Sequence, residues 1–242
     1  MEQGPIVPLR HARTWQRLTR LSVCLFVLGV LSLPAFPAQQ AGNTASLTYT
    51  KVMKGSIPEY TSITVDAEGN GSYDGRQLNE SPKPRALKLL PETTAALFHL
   101  AADLGDFHSI HLESHKNVAN LGLKTFIYRH DGREYKAQFN YTQNKRAQDL
   151  VNLFEGIADV EQHIGTLEYS SRYDVLGLPS ALTQVEIDLD NKALVDPQLM
   201  VPILKKIAGD SQYLHIAQLR AADILRRIQD SHGSRKPGRH RF

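Results

Sequence analysis

The sequence predicts an α+β fold: a small antiparallel sheet with one packed helix, followed by a helical C-terminal subdomain. Three observations predict it. The run "LKTFIYRHDGREYKAQFNY" places Asp131-Gly132 between two alternating segments, a strong two-residue hairpin signal. "PETTAALFHLAADLGDF" opens with Pro91 at a first helical position and sets Leu97, Leu100, Ala101 and Leu104 at helical spacing. From Lys145 onward, apolar residues recur every three or four positions, as an amphipathic helix requires.

Taken in order, "SLTYTKVMKG" and "YTSITVDAEGNGSYDGR" are rich in β-branched and aromatic residues. Strands are expected around Ile63-Thr64-Val65 and Ser72-Tyr73, joined by a Gly/Asn turn. "NESPKPR" reads as a loop from its prolines, and the helix at Pro91 follows. A polar loop, "HSIHLESHKNVANLG", leads to the Asp-Gly hairpin. Leu150, Leu153, Ile157, Val160, Ile164 and Leu167 then form one stripe of a long helix, widened by Phe154. "SALTQVEIDLD" predicts a short helix. Asp196-Pro197 is read as the cap of "PQLMVPILKKIAG", stopped at Gly209. In "SQYLHIAQLRAADILRRIQ", Leu214, Ala217, Ala221, Ile224 and Ile228 share a face. Residues 197–229 thus resemble a single HEAT-type helical hairpin, with no second copy to suggest a solenoid. The expected divisions are 1–38, an N-terminal targeting segment; 39–144, the α+β domain; 145–230, the helical subdomain; and 231–242, a basic tail.

The targeting segment is read from Arg10, Arg13, Arg17 and Arg20 against the single acid Glu2, followed by the uncharged thirteen-residue run Leu21–Leu33 and then Pro34. This is a secretory signal pattern, and the apolar run falls short of the about 20 residues that span a bilayer. Cleavage after Ala38 or Ala41 puts Phe36 or Gln39 at the −3 position, so an uncleaved N-terminal anchor stays open beside a cleaved signal. Both imply an extracytoplasmic protein, periplasmic or secreted, touching a membrane only through that segment. Cys24, the single cysteine, lies inside the apolar run. A cleaved chain would have no disulfide, no thiol nucleophile and no thiolate ligand.

The chain holds 28 basic and 25 acidic residues. Residues 39–230 hold 20 basic and 24 acidic ones, and this mildly acidic body excludes the basic face of a nucleic-acid binder. No dinucleotide fingerprint, Walker loop, nucleophile elbow or S-x-x-K occurs, so no cofactor is expected.

Two ligand sets remain as candidates. In "DAEGNGSYDGRQ", Asp66, Glu68, Asn70 and Asp74 fall at positions 1, 3, 5 and 9 of a calcium loop, with Gly71 at position 6. Position 12 is Gln77 where the loop needs a bidentate Glu, and a strand precedes it, so a polar hairpin tip is the reading preferred. His108, His111, Glu113 and His115, with His99 nearby, form the second set; if 111–115 runs extended, His111, Glu113 and His115 share one face as zinc ligands could. The H-E-x-x-H order of helical zinc hydrolases is absent.

Gly55, Pro58, Tyr60, Asp66, Gly71, Tyr73 and Gly75 make a pattern of Gly-x-x-Pro-x-Tyr, strand, Asp/Gly turn and Tyr-x-Gly. It resembles a family of secreted bacterial domains of unknown function, and the resemblance covers about residues 47–155. It implies the same fold and an exported address, and no activity. Relatives often place cysteines where Met53 and Ile57 stand here, so the resemblance implies apolar packing at that place and no redox role. The resulting expectation is a non-catalytic binding or envelope-associated module whose partner is a protein or envelope component. The other class left open is a metal-dependent hydrolase using His108, His111, Glu113 and His115.

Overall fold

The computed structural model describes residues 44–233, His115 excepted. Residues 1–38, read above as a targeting segment, and all but the first three residues of the basic tail lie outside the described residues. Six strands form one antiparallel sheet: β1 (Ser46–Val52), β2 (Tyr60–Asp66), β3 (Asn70–Arg76), β4 (Arg85–Lys88), β5 (Leu123–His130) and β6 (Arg133–Phe139). Their order is β4-β3-β2-β1-β5-β6. The period-2 pattern decides which face is covered. Leu47 and Tyr49 of β1, Ile63 and Val65 of β2, and Phe126 of β5 point inward and are fully buried. The opposite face carries short hydroxyl side chains, and Thr48 Oγ1 meets Thr64 Oγ1 across the strands at 2.9 Å.

The Asp131-Gly132 hairpin forms as expected. Both residues have positive φ, 49° and 72°, as a two-residue turn of the primed type demands. Strand β4 was not foreseen. "RALK" is too short to show a period and sits behind a proline-rich loop; it is a strand because β3 supplies a partner, pairing Tyr73 with Arg85 and Asn70 with Lys88.

Five helices follow the predicted order: α1 (Pro91–Asp103), α2 (Lys145–Tyr173), α3 (Leu178–Asp190), α4 (Val201–Gly209) and α5 (His215–Gly233). Asn144 caps α2, its side chain accepting the amides of Arg146 and Ala147. The boundary expected at 144/145 therefore coincides with this cap, yet α2 serves both sides of it. Its first half buries Leu150, Phe154 and Ile157 against the sheet, where the Phe154 ring stacks on Tyr49 at 5.1 Å. Its second half buries Val160 and Leu167 among Leu178, Leu182, Leu204 and Ile224 of the other helices. The two cores change over between Ala158 and Val160, and Leu199 packs against both.

Three local expectations are corrected. Asp196 does not cap the turn that follows it; a 3-10 turn, Pro197–Met200, precedes α4, and the Asp196 carboxylate reaches back to α1 instead. Leu214 is exposed, because α5 begins one residue later and turns it outward, while Ala217, Ala221, Ile224 and Ile228 are buried as read. Ile57 is 88% exposed and cannot supply apolar packing with Met53. No described helix is long and apolar enough to cross a membrane.

Candidate ligand groove

The residues nominated as calcium ligands hold the β2–β3 hairpin. Asp66 Oδ1 accepts the amides of Glu68 at 3.0 Å and Asn70 at 2.8 Å, and Asp66 Oδ2 accepts Asn70 Nδ2 at 3.0 Å. That is an Asx-type turn. The Lys88 ammonium donates to the Glu68 carbonyl at 2.6 Å and to Asn70 Oδ1 at 2.8 Å, placing a side-chain cation where a metal would compete. Asp74 lies four residues along β3 from Asn70, about 13 Å away at strand spacing. Its carboxylate takes Arg76 Nε at 3.0 Å and the Lys83 amide at 3.2 Å. Asp66 and Asp74 thus serve separate ends of the strand.

The histidine set is also divided. His108 sets its ring edge-on to Tyr135 at 5.1 Å, and His111 is exposed. Glu113 ties the loop to the end of β6: its Oε2 accepts the Asn140 amide at 2.6 Å, and its Oε1 accepts the Ser114 amide at 3.2 Å. His99 pairs with Asp103 on α1 at 3.5 Å. His115 lies outside the described residues. Among the described residues, no three His, Cys, Asp or Glu side chains come together as a metal-binding group.

A hollow of about 430 Å³ opens elsewhere, between α2 and the inner face of β3 and β4. The fold positions it through Arg85, which lies opposite Tyr73 in the sheet and points toward the helix. Its guanidinium donates to the Glu161 carbonyl at 2.6 Å, and pairs with Glu161 Oε2 at 3.0 Å and Glu168 Oε2 at 3.2 Å. Glu161 is buried, and burial pushes its carboxyl above the usual range against the opposing pull of Arg85. Two glycines keep the space open. A Cβ on Gly75 would stand 2.1 Å from Tyr73 Oη, so only glycine lets that phenol lie flat along β3. Gly165 of α2 lines the hollow opposite Arg85, whose Nη2 lies 3.7 Å from where its Cβ would stand.

The rim joins Ile57, Pro58 and Arg76 on one side to Tyr169 on the other. Ile57 is 88% exposed and Tyr169 is 62% exposed. Arg76 lies 4.5 Å over the Tyr60 ring and donates to Asp74 and, at 3.0 Å, to the Glu80 carbonyl. The arginines are therefore compensated by protein carboxylates and carbonyls. Arg85 lies 5.9 Å from the Tyr73 ring, but Tyr73 Oη, the Gln162 amide and the Thr166 hydroxyl make no hydrogen bond to another described group. What the hollow offers a ligand is neutral hydrogen bonding beside apolar surface.

A second pocket, about 310 Å³, lies at the other end of the sheet around the cross-strand pair Lys51 and Lys124. Its charges are turned to the fold. The buried Lys124 ammonium donates to the carbonyls of Leu121 at 2.9 Å, Asn140 at 3.2 Å and Gly122 at 3.3 Å. Burial, and then Lys51, lower its pKa. Lys51 and the Tyr49 hydroxyl both donate to Glu155, at 2.8 and 3.2 Å. Burial raises the Tyr49 phenol pKa, with the Glu155 charge adding to it.

No family model matches the chain, and no curated protein matches it.

Neither space was nominated from the sequence, though both left traces in it. Lys51 and Lys124 stand where the alternation of Leu47–Tyr49 and Phe126–Tyr128 calls for an apolar residue, the signal of a buried polar network. Pro58, Tyr73 and Gly75, three positions of the motif that carried the family resemblance, line the groove. Its other wall left no such trace, because Gln162, Gly165, Thr166 and Tyr169 read as the solvent face of an amphipathic helix.

Proposed function

We propose that this protein is an extracytoplasmic, non-catalytic binding module, and that the groove between α2 and β3–β4 is where its partner from the envelope is held. One observation carries the reading: Ile57 and Tyr169 stand exposed at 88% and 62% at the rim of a hollow whose arginines are already paired within the protein. Exposed apolar groups framing a concave surface with a few convergent polar groups are the usual mark of a binding site. The basic, apolar and small-residue succession of residues 1–38 supports the address.

The test joins address to site. Fractionation of the native host, with the mass of the recovered protein, reports whether it leaves the cytoplasm and where it is cut. Purified chain mixed with washed envelope material should cosediment with it, and the Ile57→Ala/Tyr169→Ala double variant should not. Both side chains are exposed, so the variant keeps the wild-type melting temperature. Recovery in the cytoplasmic fraction, or sedimentation indifferent to the double variant, would overturn the proposal.

A further inference from the structure

We infer that the groove ligand is a neutral oligosaccharide, stacked on Tyr169 and hydrogen-bonded by Tyr73, Gln162 and Thr166; this rests on the groove being the binding site. Charge argues for it first. Arg85 meets Glu161 and Glu168, and Arg76 meets Asp74, so an anionic ligand entering the groove would have to displace an existing ion pair, while the Glu80 carboxylate at the rim accepts the Gln77 amide. A neutral ligand displaces none, and it avoids the cost of burying a further unpaired charge.

The remaining groups fit sugar hydroxyls. A phenol, a primary amide and a secondary hydroxyl each donate and accept, matching groups that also do both. Tyr169 offers an exposed ring that presents an apolar face and a polar tip, and Ile57 faces the groove from the other side. A sugar ring, apolar on one face and hydroxylated at its edge, complements that pairing. A hollow of about 430 Å³ lies within the range of about 300–1,000 Å³ typical of small-ligand sites.

An extended peptide is the weaker fit. Peptides that bind sheets use the main-chain groups of a free edge. The groove is walled by the faces of β3 and β4, which pair through Asn70–Tyr73 and Arg85–Lys88; Gly75 and Arg76, which also line it, lie beyond that pairing and keep only β2 as a strand partner. Side chains of β3, β4 and α2 make up most of its lining, beside this one short stretch of β3 backbone.

The experiment titrates the full chain calorimetrically with neutral gluco-, galacto- and N-acetylglucosamine oligosaccharides, and with an acidic uronate oligosaccharide as comparison. Gly165→Leu supplies the decisive variant. A Cβ there would lie 3.7 Å from Arg85 Nη2, an ordinary contact, so the backbone need not move while the longer side chain fills the hollow. Replacing a helical glycine also favours the helix, so its melting temperature should hold or rise.

The expected result is saturable binding of one neutral series at an affinity unaffected by salt. Tyr169→Ala and Gly165→Leu should each weaken it at least ten-fold. Preference for the uronate, or neutral binding that both variants leave unchanged, overturns the inference. Titration with apolar peptides separates the two readings. Peptide binding abolished by Gly165→Leu discards the sugar and keeps the groove as the site. If neither sugars nor peptides bind, and envelope cosedimentation ignores the same variant, both readings fall.

Discussion

The Thr93 hydroxyl donates to Asp196 Oδ1 at 2.6 Å across a sequence separation of 103 residues. Asp196 Oδ2 also accepts the Leu90 amide at 2.7 Å, so one buried carboxylate from the helical region holds the start of α1, where no residue of its own caps it. Because Asp196 has φ of 56°, its replacement has two effects: loss of the cap and adjustment of a left-handed residue.

Asp196→Ala should therefore destabilise the protein by about 2–3 kcal/mol, combining a lost cap with a strained alanine. Asp196→Asn, which tolerates the left-handed conformation and keeps one acceptor, should cost less than half of that. Urea midpoints of both, together with Thr93→Val and the Asp196→Ala/Thr93→Val double variant, check it. Strict additivity in that cycle would show that the two side chains do not act together.

Gly156 is the position where helix propensity and packing oppose each other. Alanine in mid-helix is favoured over glycine by about 1 kcal/mol. Here a Cβ would stand 2.6 Å from Val195 Cγ2 and 2.7 Å from the Ala193 carbonyl, and Val195 donates its amide to the Gly156 carbonyl at 3.2 Å. Backbone cannot yield as a side chain can, so packing wins and Gly156→Ala lowers the melting temperature. An increase on differential scanning would refute this.

Among the described residues Asp159 makes no ion pair, and burial is the largest cause lifting its carboxyl pKa; Glu155 and Asp188 add to the rise, while His163 and Lys51 oppose it. A carboxyl raised in the folded state contributes its stability below the unfolded value, about 4, and loses it as pH climbs through the folded value. Asp159→Asn should thus be more stable than wild type at pH 7.5 and indistinguishable from it at pH 3. Denaturant midpoints at the two pH values measure the difference, and an equal effect at both would remove the ionisation argument.

Glu113 is engaged with the backbone of Ser114, Asn140 and Tyr141, so zinc should not raise the melting temperature, and purified protein should contain no stoichiometric metal. Glu113→Ala should instead lower stability by about 2 kcal/mol, since hydrogen bonds to a charged acceptor are the stronger kind. A zinc-dependent rise in melting temperature, abolished by Glu113→Ala, would reverse the assignment, because an ion binding only the native state must stabilise it.

The fold was largely legible because its signals are local. The Asp131-Gly132 turn, the Pro91 start, and the stripe from Leu150 to Leu167 each lie within one element, and each appears where its period predicts. Strand β4 was not legible, since four residues have no period and became a strand only beside β3. The groove was half legible. Pro58, Tyr73 and Gly75 stood out as a motif, but α2 conceals its contribution in a polar face that looks like any other.

By itself, then, the sequence determined the longer elements, their order and, Leu214 apart, the helix faces that are buried, because hydrophobic period and turn chemistry act over a few residues. Tertiary structure alone decided what the charged side chains do. Asp196 capping α1, Lys88 closing the β2–β3 turn, and Arg85 joining Glu161 and Glu168 are partnerships spanning 18 to 106 positions. A carboxylate shows nothing in sequence of whether a cation, an amide or water will face it. That depends on which segments the folded core brings together.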